Sequence, residues 1–280
     1  MRDMLVAAAK TAGVWIALLF ATAAAGAAIV LPATPGGDGP LSAGEAFLAV
    51  NAISALLLAA LAARIDAALP VKWLVLFAVA YVGGTLLAHI EAFFFGSFLA
   101  LPPGLLPRLT AVEAIRSAAG ALAAAWLWRG RAAAPAAVQG LAWKVPAISF
   151  AYVLVYFVAG FIIAWQSEAI RAFYAQGLGI DLGPLALLQV ARGAVWAGLA
   201  LLLVRTLRGS AGEKAVWTGI AFSIFIVAPL LYPTPVMPWP VRQVHLVEVG
   251  ISNLLFGFFA AALLAARPGR RREAAVEQPA

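Results

Sequence analysis

The chain has no cysteine, which removes disulfides, thiolate metal sites, thioether-linked haem and cysteine nucleophiles from consideration. It is also poor in charge: 11% of its 280 residues are Asp, Glu, Lys or Arg, whereas 64% are hydrophobic. A soluble domain carries about a quarter charged residues. A chain of this length cannot hide so much apolar surface in its own interior, so a bilayer must be the solvent for most of it. Histidine is nearly absent, with only His89 and His245, and no HExxH pair exists to hold a protease-type zinc.

What is present is a series of apolar runs, each close to the ~20 residues a helix needs to cross the hydrocarbon. Eight spans are read: Thr11–Leu31, Glu45–Ala63, Trp73–Phe95, Leu109–Trp128, Val145–Gln166, Leu185–Val204, Ala215–Leu231 and Val241–Ala266. Pro and Gly punctuate the gaps at Pro35–Pro40, Pro102–Pro107 and Pro233–Pro240. In the last of these each proline fixes its backbone, predicting an extended, stiff connector. The reading is an all-α polytopic transmembrane helix bundle in one domain, residues 1–266, followed by a basic, disordered cytoplasmic tail, residues 267–280.

Basic residues orient the spans. Arg2, Lys10, Arg64, Lys72, Arg129, Arg131, Lys144, Arg205, Arg208, Lys214, Arg267, Arg270, Arg271 and Arg272 fall on one face, 14 of the 19. The positive-inside rule places that face, and both termini, in the cytoplasm. This accounts for the net charge of +7 without nucleic acid, which is not an expected partner; membrane lipids are. Trp73, Trp126, Trp128, Trp143 and Trp217 near one set of span ends, with Trp165 and Trp239 near the other, read as interfacial anchors. The first span follows Arg2 and Lys10 and ends in small residues, as a secretory signal does. Its run of about 20 apolar residues exceeds the usual signal core, so retention is expected.

Six of the eight runs carry ionisable or amide side chains, and these crowd toward the outer face. Glu45 and Asn51, Glu113 and Arg116, Gln189 and Arg192, and Arg242, His245, Glu248 and Asn253 come early in inward-running spans. His89 and Glu91, and Gln166 and Glu168, come late in outward-running ones. Arg242, His245, Glu248 and Asn253 share one broad helical face, and a straight helix puts His89 in line with Tyr81 and Thr85, with Glu91 pointing elsewhere. A charge facing hydrocarbon costs about 2.5–3.5 kcal/mol or more. The natural pairings are Glu113 with Arg192 or Arg116, and Glu248 with Arg242. An outward-open pocket among spans three, four, six and eight, with two and five at its edge, competes with polar glue between helices.

Spans three–four and five–six resemble each other. TAVEAIRSAAGALAAAWLWRG from Thr110 aligns without gaps to ALLQVARGAVWAGLALLLVRT from Ala186, matching Glu113 with Gln189 and Arg116 with Arg192. Both hairpins run in the same sense, which makes a parallel repeat, as some transporters have.

Several chemistries fit these residue types. His89 and His245 could be the axial ligands of a b-type haem. His89, His245 and Glu248, with Glu91, Glu113 or Glu168, could bind zinc or another divalent metal. Without a metal, Arg116, Arg192 and Arg242 make an anion site for a lipid phosphate or carboxylate, completed by Glu113, Gln189 and Asn253, with His245 and Glu248 as a general acid/base pair. The scarcity of polar groups at mid-membrane and in the inner half argues against transport of a polar solute and leaves transport of an apolar or lipid-like substrate open. A non-catalytic assembly protein is the remaining alternative.

Two blocks, AYVLVYFVAGFIIAWQSEAIRAFY from Ala151 and MPWPVRQVHLVEVGISNLLFG from Met237, together with the Q-x-x-R-G segment Gln189–Gly193, resemble blocks in an uncharacterised family of bacterial multi-pass integral membrane proteins. The resemblance covers the second half of the chain. It implies no activity, but it marks Gln166, Arg171, Gln189, Arg192, Arg242, His245, Glu248 and Asn253 as motif residues. The sequence expectation is therefore an eight-span, N-in/C-in inner (plasma) membrane protein with an outward-facing polar site that binds or processes a lipid or small amphiphile.

Overall fold

The structure, a computed structural model, describes residues 1–32, 36–99, 101–130, 132–175, 181–234 and 236–266. Among these, no strand forms beyond two isolated bridges. The helices are α1 (Arg2–Ala28), α2 (Ala43–Ala62), α3 (Leu69–Phe94), α4 (Leu105–Leu127), α5 (Leu141–Ile162), the short α6 (Glu168–Tyr174), α7 (Leu182–Thr206), α8 (Ala211–Val227) and α9 (Trp239–Ala265). Seven helices among the described residues are long and apolar enough to cross a membrane. The long helix outside that set is α4, whose apolar run is broken by Arg108, Glu113 and Arg116.

Local chemistry starts several helices. Ser42 and Glu45 form a reciprocal capping box on α2, and Ser210 and Glu213 form another on α8, so each pair satisfies two otherwise orphaned N–H groups. Asp181 accepts from the Gly183 N–H at 3.0 Å to open α7. The helices begin before the apolar runs read as membrane spans. α1 begins at Arg2 rather than Thr11, so Lys10 lies inside the helix, with its ammonium 5.4 Å from the Trp128 ring centre instead of at a helix end. The fifth span does end at Gln166, but not as one unbroken α-helix. α5 ends at Ile162, and a single tighter turn, Ala164–Gln166, leads through extended Ser167 into α6. The tail from Arg267, and Arg131, lie outside the described residues.

Loops meet at two opposite ends. At one, Asp38 bridges Thr234, Arg108 donates to the Val30 carbonyl at 2.7 Å, and Phe98 packs edge-on against Phe173. At the other, the Asp66 N–H donates to Thr206 O at 3.0 Å and the Ala136 N–H to Arg205 O at 2.9 Å. This second, basic end is also where α2, α4, α7 and α9 finish, each with unpaired carbonyls and the negative pole of its dipole. Lysines at the starts of their neighbours meet that need. Lys72 Nζ donates to Ala62 O at 3.1 Å and Trp128 O at 2.7 Å. Lys144 Nζ donates to Leu264 O at 3.2 Å and Ala266 O at 2.6 Å, and Lys214 Nζ to Val204 O at 2.9 Å. Lys72 and Lys144 are buried.

Packing sets where the site lies. α8 and α9 run in contact along their lengths because Gly219 and Gly257 face each other; a Cβ on Gly219 would fall 2.5 Å from Leu254 O. Gly219→Val is expected to force these backbones apart and destabilise the bundle by about 1–3 kcal/mol, measured by unfolding in detergent. A stability equal to the parent's would show that the contact is not tight. α7 lies as close to α5, where a Cβ on Gly193 would fall 2.6 Å from Ser149 O. Trp196, Phe222, Phe256 and Tyr152 form the aromatic floor between these helices, with Trp196 and Phe222 ring centres 4.3 Å apart.

The middle of α3, Ala78–Leu86, is wound as a π-helix. It contains the Gly83–Gly84 pair, packed against Trp196 and the Phe225 backbone. A π-helix turns fewer degrees per residue than an α-helix. Side chains beyond it therefore leave the 3.6-residue projection, and the predicted line Tyr81–Thr85–His89 does not hold as a straight stripe.

Candidate functional site

The polar residues expected to form one pocket are divided among three places. The largest group surrounds a cavity of about 240 Å³ between α3, α5, α6, α7, α8 and α9. Its floor carries the ion pair Arg192 Nη1–Glu91 Oε2, 2.8 Å. Behind it, Gln189 is wholly buried, accepting from Arg192 at 2.8 Å and donating to Glu91 at 3.3 Å. Gly193 lets α7 approach α5, and the π-turn re-aims the end of α3, so these two local irregularities bring Arg192 and Glu91 together.

One wall holds His245 and Glu248 from consecutive turns of α9, Nδ1 to Oε2 at 2.7 Å, and Tyr174 from α6, whose hydroxyl lies 3.2 Å from His245 Nε2. With Nδ1–H donated to the carboxylate, Nε2 accepts from the Tyr174 hydroxyl. Burial, and then the Glu91 and Glu248 carboxylates, push the Tyr174 phenol well above its ordinary value, which keeps it a donor at neutral pH. A carboxylate-oriented imidazole next to a phenol is the geometry of a general acid/base pair. Asn253 completes the polar lining; its Nδ2 donates to Val249 O, while its Oδ1 has no partner among the described residues. Phe95, Phe98, Tyr152 and Tyr156 supply the aromatic surface.

Tyr156, Tyr174, His245 and Glu248 also line a second space of about 350 Å³ between α5, α6 and α7. Its remaining walls are apolar, and Phe161, Trp165 and Leu182 stand exposed around it. Gln166 and Arg171 do not reach either space. Gln166 donates to Phe161 O and Arg171 to Trp165 O and Gln166 O, tying off the end of α5 and so positioning α6 and Tyr174.

The second group joins α4 to α2. Arg116 donates to Asn51 at 2.8 Å, Ser54 at 2.7 Å and Glu113 at 2.8 Å, so of the two partners expected for Glu113 the structure selects Arg116. His89 is close by and bonds Thr110 at 2.6 Å. The third group is a loop clasp. Arg242 donates to Met237 O and Leu230 O, both at 2.9 Å, to Tyr232 O, and to the Asp38 carbonyl and carboxylate. The expected Glu248–Arg242 pair is therefore replaced by Glu248–His245 and Asp38–Arg242, because Arg242, in the first turn of α9, turns toward the loops rather than the cavity.

These placements correct three expectations. Arg116, Arg192 and Arg242 do not converge, so they do not make one anion site, and Glu113, Arg116 and Arg242 do not line the cavity that holds Arg192, His245, Glu248 and Asn253. His89 does not line it either, so His89, His245 and Glu248 do not gather around one metal. Among the described residues no three His, Asp or Glu side chains do so, and Glu168 is exposed. His89 lines neither of the two cavities that His245 lines. Sequence reasoning passed over Tyr152, Tyr156 and Tyr174, set Glu91 at the margin, and did not use Asp38. Tyr152 and Tyr156, one helical turn apart, carried a readable signal; Tyr174, outside any span, did not. No protein family, curated protein or solved structure matches the chain.

Proposed function

We propose that the protein is an inner-membrane protein that binds a lipid or small amphiphile in the cavity between α3, α5, α6, α7 and α9, with His245 and Glu248 placed to move a proton on its polar end. The observation that carries this reading is the shared wall. Tyr156, Tyr174, His245 and Glu248 face both a polar-floored chamber and an apolar cleft edged by exposed Phe161, Trp165 and Leu182. A molecule with one polar and one apolar end satisfies both at once. α4 is counted as the eighth span, since its interrupting charges Glu113 and Arg116 are paired with each other and with α2 rather than turned to lipid. The clustering of basic residues at the end where Lys72, Lys144 and Lys214 lie supports N-in/C-in topology, with the cavity nearer the outer face. The like bonds Arg116–Glu113 and Arg192–Gln189, each 2.8 Å, support a parallel repeat of the two hairpins.

The test uses three photoactivatable probes with one dodecyl-diazirine chain and a glucoside, ammonium or sulfate head, each incubated with the full chain in dodecyl maltoside. At least one should label residues near Phe95, Tyr156 or Tyr174, saturably and in competition with its unlabelled analogue. Labelling by all three spread over exposed apolar positions such as Ile16 and Phe20 of α1, without competition, would overturn the reading.

A further inference from the structure

We infer that the polar end of this ligand is a cation, an organic ammonium on an apolar chain, held by Glu91, Glu248 and the aromatic rings around them. The inference rests on the amphiphile reading above and narrows it.

Its first ground is which partner of each ion pair meets the cavity or solvent. Glu91 keeps 22% of its side chain exposed against 3% for Arg192; Glu113 keeps 18% against 8% for Arg116; Asp38 keeps 51% against 1% for Arg242. In these three pairs the guanidinium is the more buried partner; in the His245–Glu248 pair the acid is, at 12% against 16%. Glu91 is thus the more open member of the Glu91–Arg192 pair; Arg192 Nη1 is engaged by Glu91 and Gln189, while its buried Nε has no partner among the described residues.

The second ground is the count of charges lining the cavity. Two carboxylates, Glu91 and Glu248, face one guanidinium, and the partner of Glu248 is His245, which is charged only when protonated. Glu248 therefore has no permanent cation among its partners in the described residues, and a ligand cation supplies one. An anion would instead be brought against two carboxylates.

The third ground is the remaining lining. Phe95, Phe98, Tyr152, Tyr156 and Tyr174 present ring surface, whose negative faces attract a cation. Asn253 Oδ1, on a side chain that is more than nine-tenths buried, is an acceptor without a partner among the described residues. That oxygen is closed off from the cavity as the side chain stands, so it meets a ligand donor only when the side chain turns.

The same three probes test this. The ammonium head is expected to half-saturate labelling of the cavity residues at a concentration roughly tenfold below the glucoside and sulfate heads, as a desolvated cation–π contact implies. Glu248→Gln should remove most of that preference. Equal or tighter labelling by the sulfate or glucoside in the parent protein overturns the ammonium assignment and leaves the amphiphile reading standing. Failure of all three to label the cavity overturns both. The comparison of heads in the parent protein needs no variant to fold.

Discussion

Arg192→Met alone is expected to destabilise the bundle by about 3–5 kcal/mol, whereas Arg192→Met combined with Glu91→Met recovers most of the loss. The single change leaves Glu91 in a mostly apolar cavity without its counter-charge and strips Gln189 of its donor. The double change replaces the whole pair with apolar volume, which in a low-dielectric interior is close to neutral. Unfolding of the two single variants and the double variant in mixed micelles gives the coupling directly. A double variant as unstable as the sum of the singles would mean that Arg192 and Glu91 are held in place by other partners and do not act as a pair. The same variants separate structure from binding, since the double variant should be stable and still lack preference among the amphiphile heads.

Arg242→Ala is the second large effect, on the order of 3 kcal/mol, from the loss of charge-assisted bonds to the Met237, Leu230 and Tyr232 carbonyls. Here the consequence is local. Backbone hydrogen exchange should rise in residues 36–39 and 236–239, which the guanidinium ties together, while half-saturation of the cavity by the best probe changes less than about twofold. A loss of probe binding with undisturbed loops would restore Arg242 to the binding site. Acid should loosen the same clasp. The Trp239 N–H, and after it Arg242, hold the Asp38 carboxyl below its ordinary value of 3.8. The stabilisation from a carboxylate with a lowered value is complete above the ordinary value and is lost as pH falls through the lowered one. Exchange in these loops should therefore increase below about pH 4 in the parent and vary less with pH in Arg242→Ala.

Much of the helical layout was legible because apolar runs and Pro/Gly breaks are strong, local signals. Those signals do not carry caps or irregular turns. α1 was read nine residues short at its N-terminus, Arg2 against Thr11, because Arg2, Asp3 and Lys10 mask its apolar character. The fifth span does run through Gln166, but the change of winding after Ile162 leaves no apolar signal. In the site, Arg192, His245, Glu248 and Asn253 were readable as intramembrane polar residues on two helices, and the structure brings these four to one cavity. Which acid answers which arginine was not readable. That depends on rotation, and the π-turn at Ala78–Leu86 rotates Glu91 by an amount that a regular helical projection does not contain. Arg242 was misassigned for the related reason that a loop residue, Asp38, lies 204 positions away in the chain yet beside it in the fold. Periodicity sees one face of one helix; it does not see what arrives from the far end of the sequence.

The lysines of the basic end bear on the order of assembly. Lys72 finds Ala62 O, ten residues back, as soon as the second hairpin begins, but its other acceptor, Trp128 O, is 56 residues ahead. Lys144 has no such early partner. Both of its acceptors, Leu264 O and Ala266 O, are made at least 120 residues later, when α9 is complete. Until α9 is complete, the Lys144 ammonium at this end of the bundle keeps water where those two carbonyls will later accept from it. The last helix thus serves as a latch on the fifth.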